Sequence, residues 1–199
     1  MKKKSYFIVI DGIDGAGTTT HSSLLAGFLE GEGFKIHLTQ EPSNSDIGEL
    51  IRKFLKNKDI PPCTDALLFA ADRSLHYYNE IKRKLKENYI VISDRYIESS
   101  IVYQSVQSDE ISIEWVKEIN KFAGEPDLTI ILDINPKISL ARKTQEDLEK
   151  FEDTPFLDKV RKLYLKRAGQ NGYYVVNSDD IIEIVQEKIQ KIVIDRLLG

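Results

Sequence analysis

The sequence predicts a three-layer α/β/α domain built on a five-stranded parallel sheet. Five short apolar, β-rich runs alternate with segments of helical period along the whole chain. The runs lack inside–outside alternation, as strands covered on both faces do, and their connections are a dozen residues or longer, as parallel crossovers require. A glycine-rich stretch follows the first run directly and leads into a helix.

Strands are expected at residues 6–10, 35–38, 90–93, 129–134 and 173–176. Helices are expected at 19–32, 45–56, 65–87, 97–106, 113–123, 136–143, 156–168 and 181–198. No repeat, low-complexity stretch or proline-rich linker divides the chain, so residues 1–199 are read as one domain. A charged segment almost free of aliphatics, about 142–155, is expected to form a small mobile lid.

Composition bounds the function. The chain has 199 residues, 41% hydrophobic and 30% charged, enough for a substantial core. With 28 basic and 32 acidic residues the net charge is −4, and neither half holds the basic excess of a protein that grips a nucleic acid polymer. A nucleotide remains an admissible ligand. No apolar run approaches the roughly 20 residues that span a bilayer. The opening Met-Lys-Lys-Lys is followed by an apolar stretch that breaks at Asp11, so it reads as a solvated lead-in to a strand and not as a signal peptide. Cys63 is the one cysteine, and three histidines complete no zinc pattern. A cytoplasmic location is expected, and any metal should be oxygen-bound.

The first strand ends in Gly12-Ile13-Asp14-Gly15-Ala16-Gly17-Thr18-Thr19-Thr20. Glycines at such a turn let main-chain N–H groups converge on phosphate oxygens, and the helix that follows adds its positive end. The pattern G-x-x-x-x-G-K-[ST] is met at Gly12, Gly17 and Thr19, the last at the position that serves Mg²⁺. It fails at Thr18, where a lysine belongs. A glycine turn with Thr18 to Thr20 merely capping the helix is the competing reading.

On the long helix expected at 65–87, Phe69 and Arg73 share a face, with His76 and Tyr77 one turn on. A ring beside a guanidinium suits stacking on a base and bonding its carbonyl, although a core Phe beside a surface Arg has the same spacing. The third strand closes with Asp94-Arg95-Tyr96 at the sheet edge where ligands bind in such folds. There a carboxylate can serve magnesium and an arginine can bridge phosphates; an ordinary salt-bridged strand end is the alternative. Ser99/Tyr103 and Ser100/Gln104 then form one polar face, which on most helices is simply solvated.

In this order the segments resemble the thymidylate kinase family: Asp-Gly-Ile-Asp-Gly-Ala-Gly, Glu41-Pro42, Leu67 to Arg73, Asp94-Arg95-Tyr96 with Ser99-Ser100 and Tyr103-Gln104, Pro126 to Thr129, and Phe151-Glu152. The resemblance implies a P-loop kinase fold with a lid, transfer of phosphate from ATP to dTMP with Mg²⁺, and a homodimer. The loop residues Gly12 to Thr20 would hold ATP. Thr19 and Asp94 would serve the metal. Asp14 would bind the 3′-hydroxyl, Phe69 would stack on thymine, and Arg73 would contact its carbonyl. Tyr103 would fill the space of a 2′-hydroxyl, and Gln104 would lie near the base. Glu41, Arg95, Ser99 and Ser100 complete the expected acceptor site, with Asp94 and Arg95 also catalytic.

Two departures remove positive charge from the reaction path: Thr18 for the loop lysine, and Gln40 where relatives generally carry an arginine before Glu-Pro. Arg142 and Lys143 are therefore the expected catalytic replacements, with Lys150 nearby and Arg52 positioned for the acceptor phosphate. Surface ion pairs are the competing reading, since Arg142/Glu146, Lys143/Asp147 and Glu146/Lys150 are spaced for them. The departures also leave two other readings open: a nucleoside monophosphate kinase of relaxed acceptor choice, and a nucleotide-binding protein without catalysis.

Overall fold

In a computed structural model the described residues are 5–56, 59–142 and 153–198. Strand β1 (Phe7–Gly12) leads through the glycine loop to α1 (Thr18–Gly31), then β2 (Ile36–Gln40) and α2 (Asp46–Phe54). Helix α3 (Pro62–His76) passes through a widened π turn (Tyr77–Ile81) into α4 (Lys82–Lys86). Next come β3 (Ile90–Asp94), α5 (Ile97–Gln107), α6 (Ile113–Ile119), β4 (Leu128–Asp133) and α7 (Pro136–Ala141). The chain closes with α8 (Thr154–Asn171), β5 (Tyr174–Asn177) and α9 (Ile182–Val193), the last ending in a second π turn.

All five strands are parallel, in the order β2-β3-β1-β4-β5. From β1 the chain runs to β2 on one side of the sheet and later crosses from β3 to β4 on the other, and the crevice at the strands' C-terminal ends beside β1 is where such sheets bind ligands. Register brings Ile10 opposite Asp94, and Gln40 opposite Asp94 from the other side, so the expected site residues share one edge.

Continuous apolar strands proved to be the central ones. Every residue of β1 and β3 is buried, whereas the edge strands β2 and β5 are largely half-exposed or exposed. The main core runs along β1, β3 and β4 and includes Leu25 and Leu29 of α1, Val102 of α5, Leu157 and Val160 of α8, and Val185 and Ile189 of α9.

Local chemistry sets the helix starts. Ser45 accepts from the Gly48 N–H at 3.1 Å, Asn135 from Lys137 at 2.9 Å, and Asp153 from Phe156 at 2.7 Å. Pro62 and Pro136 stand in first turns, where a missing N–H costs nothing. Pro62 starts α3 three residues ahead of the expected 65, and the expected single helix to 87 contains the π turn. Helix α6 stops at Ile119, short of the expected 123. Among the described residues, no helix is long and apolar enough to cross a membrane. Lys143, Lys150, Phe151 and Glu152, and with them the ion pairs expected across 142–150, lie outside the described residues.

Candidate active site

Two clefts open at the C-terminal edge of the sheet and share Asp14 and Arg95. The larger, about 830 Å³, follows the glycine loop and is lined by Gly15, Gly17, Thr18, Thr19, Thr20, His21, Arg142 and, from the β5–α9 turn, Ser178, Asp180, Ile181 and Ile182. Helix α1 begins after Gly17, whose φ of 94° places it in the left-handed region, and no side chain caps the helix. Its first-turn N–H groups are thus available to an anion, with the helix dipole behind them. Gly15 has φ +79°, and a Cβ there would come within 2.5 Å of the Ser139 carbonyl oxygen of α7. Ile13 and Ala16 turn into the core, so their contribution to the loop is main-chain only.

The Asp94 carboxylate has one oxygen, Oδ2, bonded at 2.5 Å by the Thr19 hydroxyl, while Oδ1 is buried without a partner. The ion pair at this strand end is made by Arg95 with Asp14, and Asp94 bonds a hydroxyl instead. An unclaimed carboxylate oxygen beside a threonine hydroxyl, all oxygen donors, fits a hydrated magnesium ion. Among the described residues there is no cluster of three or more His, Cys, Asp or Glu residues able to cage a metal without a phosphate ligand.

Arg95 stands at the junction with φ 68°. A left-handed backbone at a residue with a Cβ costs roughly 1–2 kcal/mol, and here it turns the guanidinium back over the loop. Nη1 donates to the Gly12 carbonyl at 2.8 Å and to Ser99 Oγ at 3.2 Å, and Nη2 donates to Asp14 at 2.6 Å. The other Asp14 oxygen accepts from Tyr103 Oη at 3.1 Å.

The second cleft, about 250 Å³, is lined by Gln40, Glu41, Pro42, Arg52, Leu55, Phe69, Arg73, Tyr96, Ser99, Ser100, Tyr103 and Gln104 in addition to Asp14 and Arg95. Every residue the sequence assigned to the acceptor is therefore in one place. The polar face of α5 is not solvated: Ser100, Tyr103 and Gln104 are all buried. Gln104 Oε1 is buried without a partner in this wall, an acceptor reserved for something that enters. Desolvation pushes the Tyr103 phenol far up from its usual value, so its hydroxyl remains a donor.

Arg73 is only 1% exposed and is neither a surface residue nor free. It donates from Nε to Glu41 at 2.8 Å, from Nη1 to Asn120 at 2.6 Å, and from Nη2 to the Tyr96 carbonyl and Ser100 Oγ at 3.2 and 3.0 Å. Such a net fixes the guanidinium plane beside the cleft. Arg52 donates to the Pro42 carbonyl at 3.0 Å and so reaches the cleft from α2, next to Gln40. Arg142 donates to the Ser178 carbonyl at 3.1 Å and stands 3.4 Å from the Gly15 carbonyl oxygen, inside the larger cleft.

Sequence reasoning missed four residues. Asp11, read as the end of an apolar run and the first residue of the family loop but given no role, is fully buried and accepts from the N–H groups of Gly12, Tyr96 and Ser99, from Ser99 Oγ and from Tyr164 Oη. It ties the glycine loop, the start of α5 and α8 into one unit. Asn120 holds Arg73, Asp72 accepts from Ser43 and Ser45 at the start of α2, and Tyr164 comes from the far side of the chain. A lone carboxylate inside a strand was the one available signal, for Asp11. The others depend on contacts distant in sequence.

A family model for thymidylate kinase matches residues 10–189. Probable thymidylate kinases from three organisms align over nearly the whole chain. The Pyrobaculum aerophilum protein is 46% identical over 193 residues, covering 94% of this chain and 97% of the relative. The Methanococcus aeolicus protein is 43% identical over 198 residues, covering 96% of each, and the Methanothermobacter thermautotrophicus protein is 41% identical over 190 residues, covering 94% and 93%. Because the matched span holds the glycine loop, both clefts and the junction between them, the chain belongs to the thymidylate kinase family.

Proposed function

We propose that the chain transfers the γ-phosphoryl group of ATP to dTMP, giving dTDP and ADP, and that Arg142 supplies the charge Thr18 withholds. The observation that carries this reading is that the two clefts meet at Asp14 and Arg95, so a triphosphate on the glycine loop and a monophosphate in the smaller cleft would present their phosphates to the same guanidinium.

ATP takes the larger cleft, its phosphates on the loop and first turn of α1 (Gly12 to Thr20) and its base toward Ile181 and Ile182. Thymidylate takes the smaller cleft, with Phe69 against the base, Gln104 Oε1 accepting from the base imide, Arg73 at a base carbonyl and Asp14 at the 3′-hydroxyl. Glu41, Ser99 and Ser100 hold Arg73 and Arg95 in place, and Tyr103 occupies the space a 2′-hydroxyl needs. Thr19 and Asp94 would hold a hydrated Mg²⁺, which neutralises phosphate charge when bound.

An oxygen of the dTMP phosphate attacks the γ-phosphorus in line as the bond to the β–γ bridging oxygen breaks. Arg95 and Arg142 neutralise the charge spread over the equatorial oxygens and Arg52 holds the acceptor phosphate. The exposed Leu67, Leu75 and Tyr78 along α3 and the turn after it support a homodimer. Lys143 remains part of the proposal as a lid cation.

The test is ADP release with Mg-ATP across dTMP, dUMP, dCMP, dGMP and dAMP. Release dependent on dTMP above all others is expected. Preference for a non-thymine acceptor overturns the roles of Phe69 and Arg73, and binding of ATP and dTMP with no turnover favours a non-catalytic protein.

A further inference from the structure

Beneath the acceptor cleft lies a buried group that none of these steps uses. We propose that His76 is a positioning residue for acceptor recognition, held as an imidazolium between Glu41 and Glu80 so that Glu41 keeps Arg73 against the cleft. The proposal rests on dTMP being the acceptor.

Both ring nitrogens face acceptors. Nδ1 lies 3.2 Å from Glu41 Oε1, and Nε2 lies 2.7 Å from Thr39 Oγ1 and 3.7 Å from Glu80 Oε1. A neutral ring would need one of these partners to donate. The carboxylates cannot, and a bare Nε2 lone pair accepting from Thr39 would also face the Glu80 oxygen at 3.7 Å, a repulsion that a proton on Nε2 turns into attraction. In the doubly protonated ring Thr39 accepts from Nε2, as Glu41 accepts from Nδ1. The His76 side chain is fully inaccessible, so water offers no alternative partner.

Charge balance gives the same answer. Glu41 is shared: Oε2 faces Arg73 at 2.7 Å from Nη2, and Oε1 faces His76. Glu80 also meets His37 Nε2 at 2.8 Å. Asp72, on the same helix, is spent on Ser43 and Ser45, and Asp94 at the end of β3 bonds Thr19. Glu41, shared by Arg73 and His76, and Glu80, shared by His37 and His76, thus put a carboxylate beside each nitrogen of the His76 ring, a field that favours the imidazolium. Burial by itself would lower the imidazole's pKa, but hydrogen bonds donated to the Glu41 and Glu80 carboxylates outweigh it and push it up to about 9.

A purely structural histidine would staple α3 to β2 and leave the pH dependence of acceptor binding alone. A positioning imidazolium ties the KM for dTMP to its proton. The expected result for the wild type is a KM for dTMP that is flat near neutrality and rises above about pH 9, with kcat changing less. Ionisation of the thymine imide also yields an alkaline limb, but no substitution can move that one. Glu80→Gln removes one carboxylate from the ring and should bring the limb down by about one pH unit or more. His76→Asn should raise the KM at neutral pH about tenfold and abolish the movable limb.

Nitrogen-15 NMR of the folded wild-type protein reads the ring directly, without turnover. Protons on both nitrogens at pH 7.5 and a titration midpoint near 9 are expected. A singly protonated ring at pH 7.5, or a limb that Glu80→Gln leaves in place, overturns the proposal even if His76→Asn fails to fold. A wild-type protein that does not phosphorylate dTMP at pH 7.5 refutes the acceptor reading instead, and the NMR result then stands by itself.

Discussion

Arg142→Ala is the sharpest probe of how the kinase functions without a loop lysine. The side chain projects from the end of α7 into the donor cleft, held by the Gly15 and Ser178 carbonyls. Helix α7 is itself pressed against the loop, since Ser139 leaves no room for a Cβ on Gly15. His21 lines the same cleft, but burial holds its pKa below the usual value, so it offers no charge near neutrality. Arg95 and Arg142 are then the cations that line this cleft among the described residues. Loss of one preorganised donor to a transferring phosphoryl group costs about 3–4 kcal/mol, or roughly 10²–10³ in kcat. The guanidinium's described partners are neutral carbonyls at an exposed position, so thermal stability should change by less than about 0.5 kcal/mol. Steady-state ADP release gives kcat and both KM values. We expect kcat to fall by that factor with the KM for dTMP within threefold, and Thr18→Lys in the same background to restore much of the loss. A kcat within threefold of wild type would refute the assignment and move the missing charge to Lys143 or Lys150.

Gln104→Leu fills the cleft wall with an apolar group and deletes the unclaimed acceptor; dTMP titration calorimetry should show at least about tenfold weaker binding, because the base imide is then left unpaired, while stability holds or rises. Arg73→Met leaves the Glu41 carboxylate buried without its guanidinium, which should cost about 3–5 kcal/mol and lower Tm by roughly 10 °C in a thermal melt. The stability of the wild type should also depend on pH through His76. Its folded pKa of about 9 lies above the unfolded value, so its stabilisation is complete below about 6.5 and is lost as pH rises through 9. Glu80 is shifted the other way by its hydrogen bonds to His37 and His76, so its contribution is present above the ordinary carboxylate range and lost as pH falls through its folded pKa. Melts from pH 4 to 10 should give a plateau near neutrality in the wild type, and His76→Asn should flatten the alkaline side.

The fold was legible because its signals are local. Apolar runs covered on both faces became β1, β3 and β4, and the glycine loop lay at the end of the first of them. The lining of the smaller cleft was legible too, since the Phe69/Arg73 and Ser100/Gln104 spacings each set two side chains on one helix face. What spacing could not convey was commitment. Arg73 reads in sequence as a base-contacting or surface arginine, and only the packing of β2, α3, α5 and α6 around it reveals four partners. Asp11 and Tyr164 are 153 positions apart and meet at 2.6 Å, a contact no local pattern encodes. The π turn after His76 was hidden for another reason: its residues keep helical periodicity while the hydrogen bonding widens by one residue.

The two absent bases point to a physical account of why a motif can lose its most informative residue. A phosphate oxygen responds to the position of a charge in space, and the route by which the chain delivers it does not enter. Thr18 and Gln40 each stand at a sheet edge where a neighbouring element can reach the same volume. Arg142 comes in over the loop from α7, and Arg52 comes in beside Gln40 from α2. Both are anchored on main-chain carbonyls, of Gly15 and Ser178 and of Pro42, which orient a guanidinium without cancelling its charge as a carboxylate would. Arg73 is the converse case, a guanidinium fixed in plane by Glu41, Asn120, Ser100 and the Tyr96 carbonyl, with its charge largely offset by Glu41. The proposed roles thus follow the chemistry of the anchors: the arginines held by carbonyls alone are assigned to phosphate, and Arg73, held by a carboxylate as well, to the base. Arg95 too has both kinds of anchor, the Gly12 carbonyl on one nitrogen and Asp14 on the other. In the proposed reaction an incoming phosphate would compete with Asp14 for that guanidinium, and a sugar hydroxyl bound by Asp14 would couple nucleoside recognition to the release of that charge.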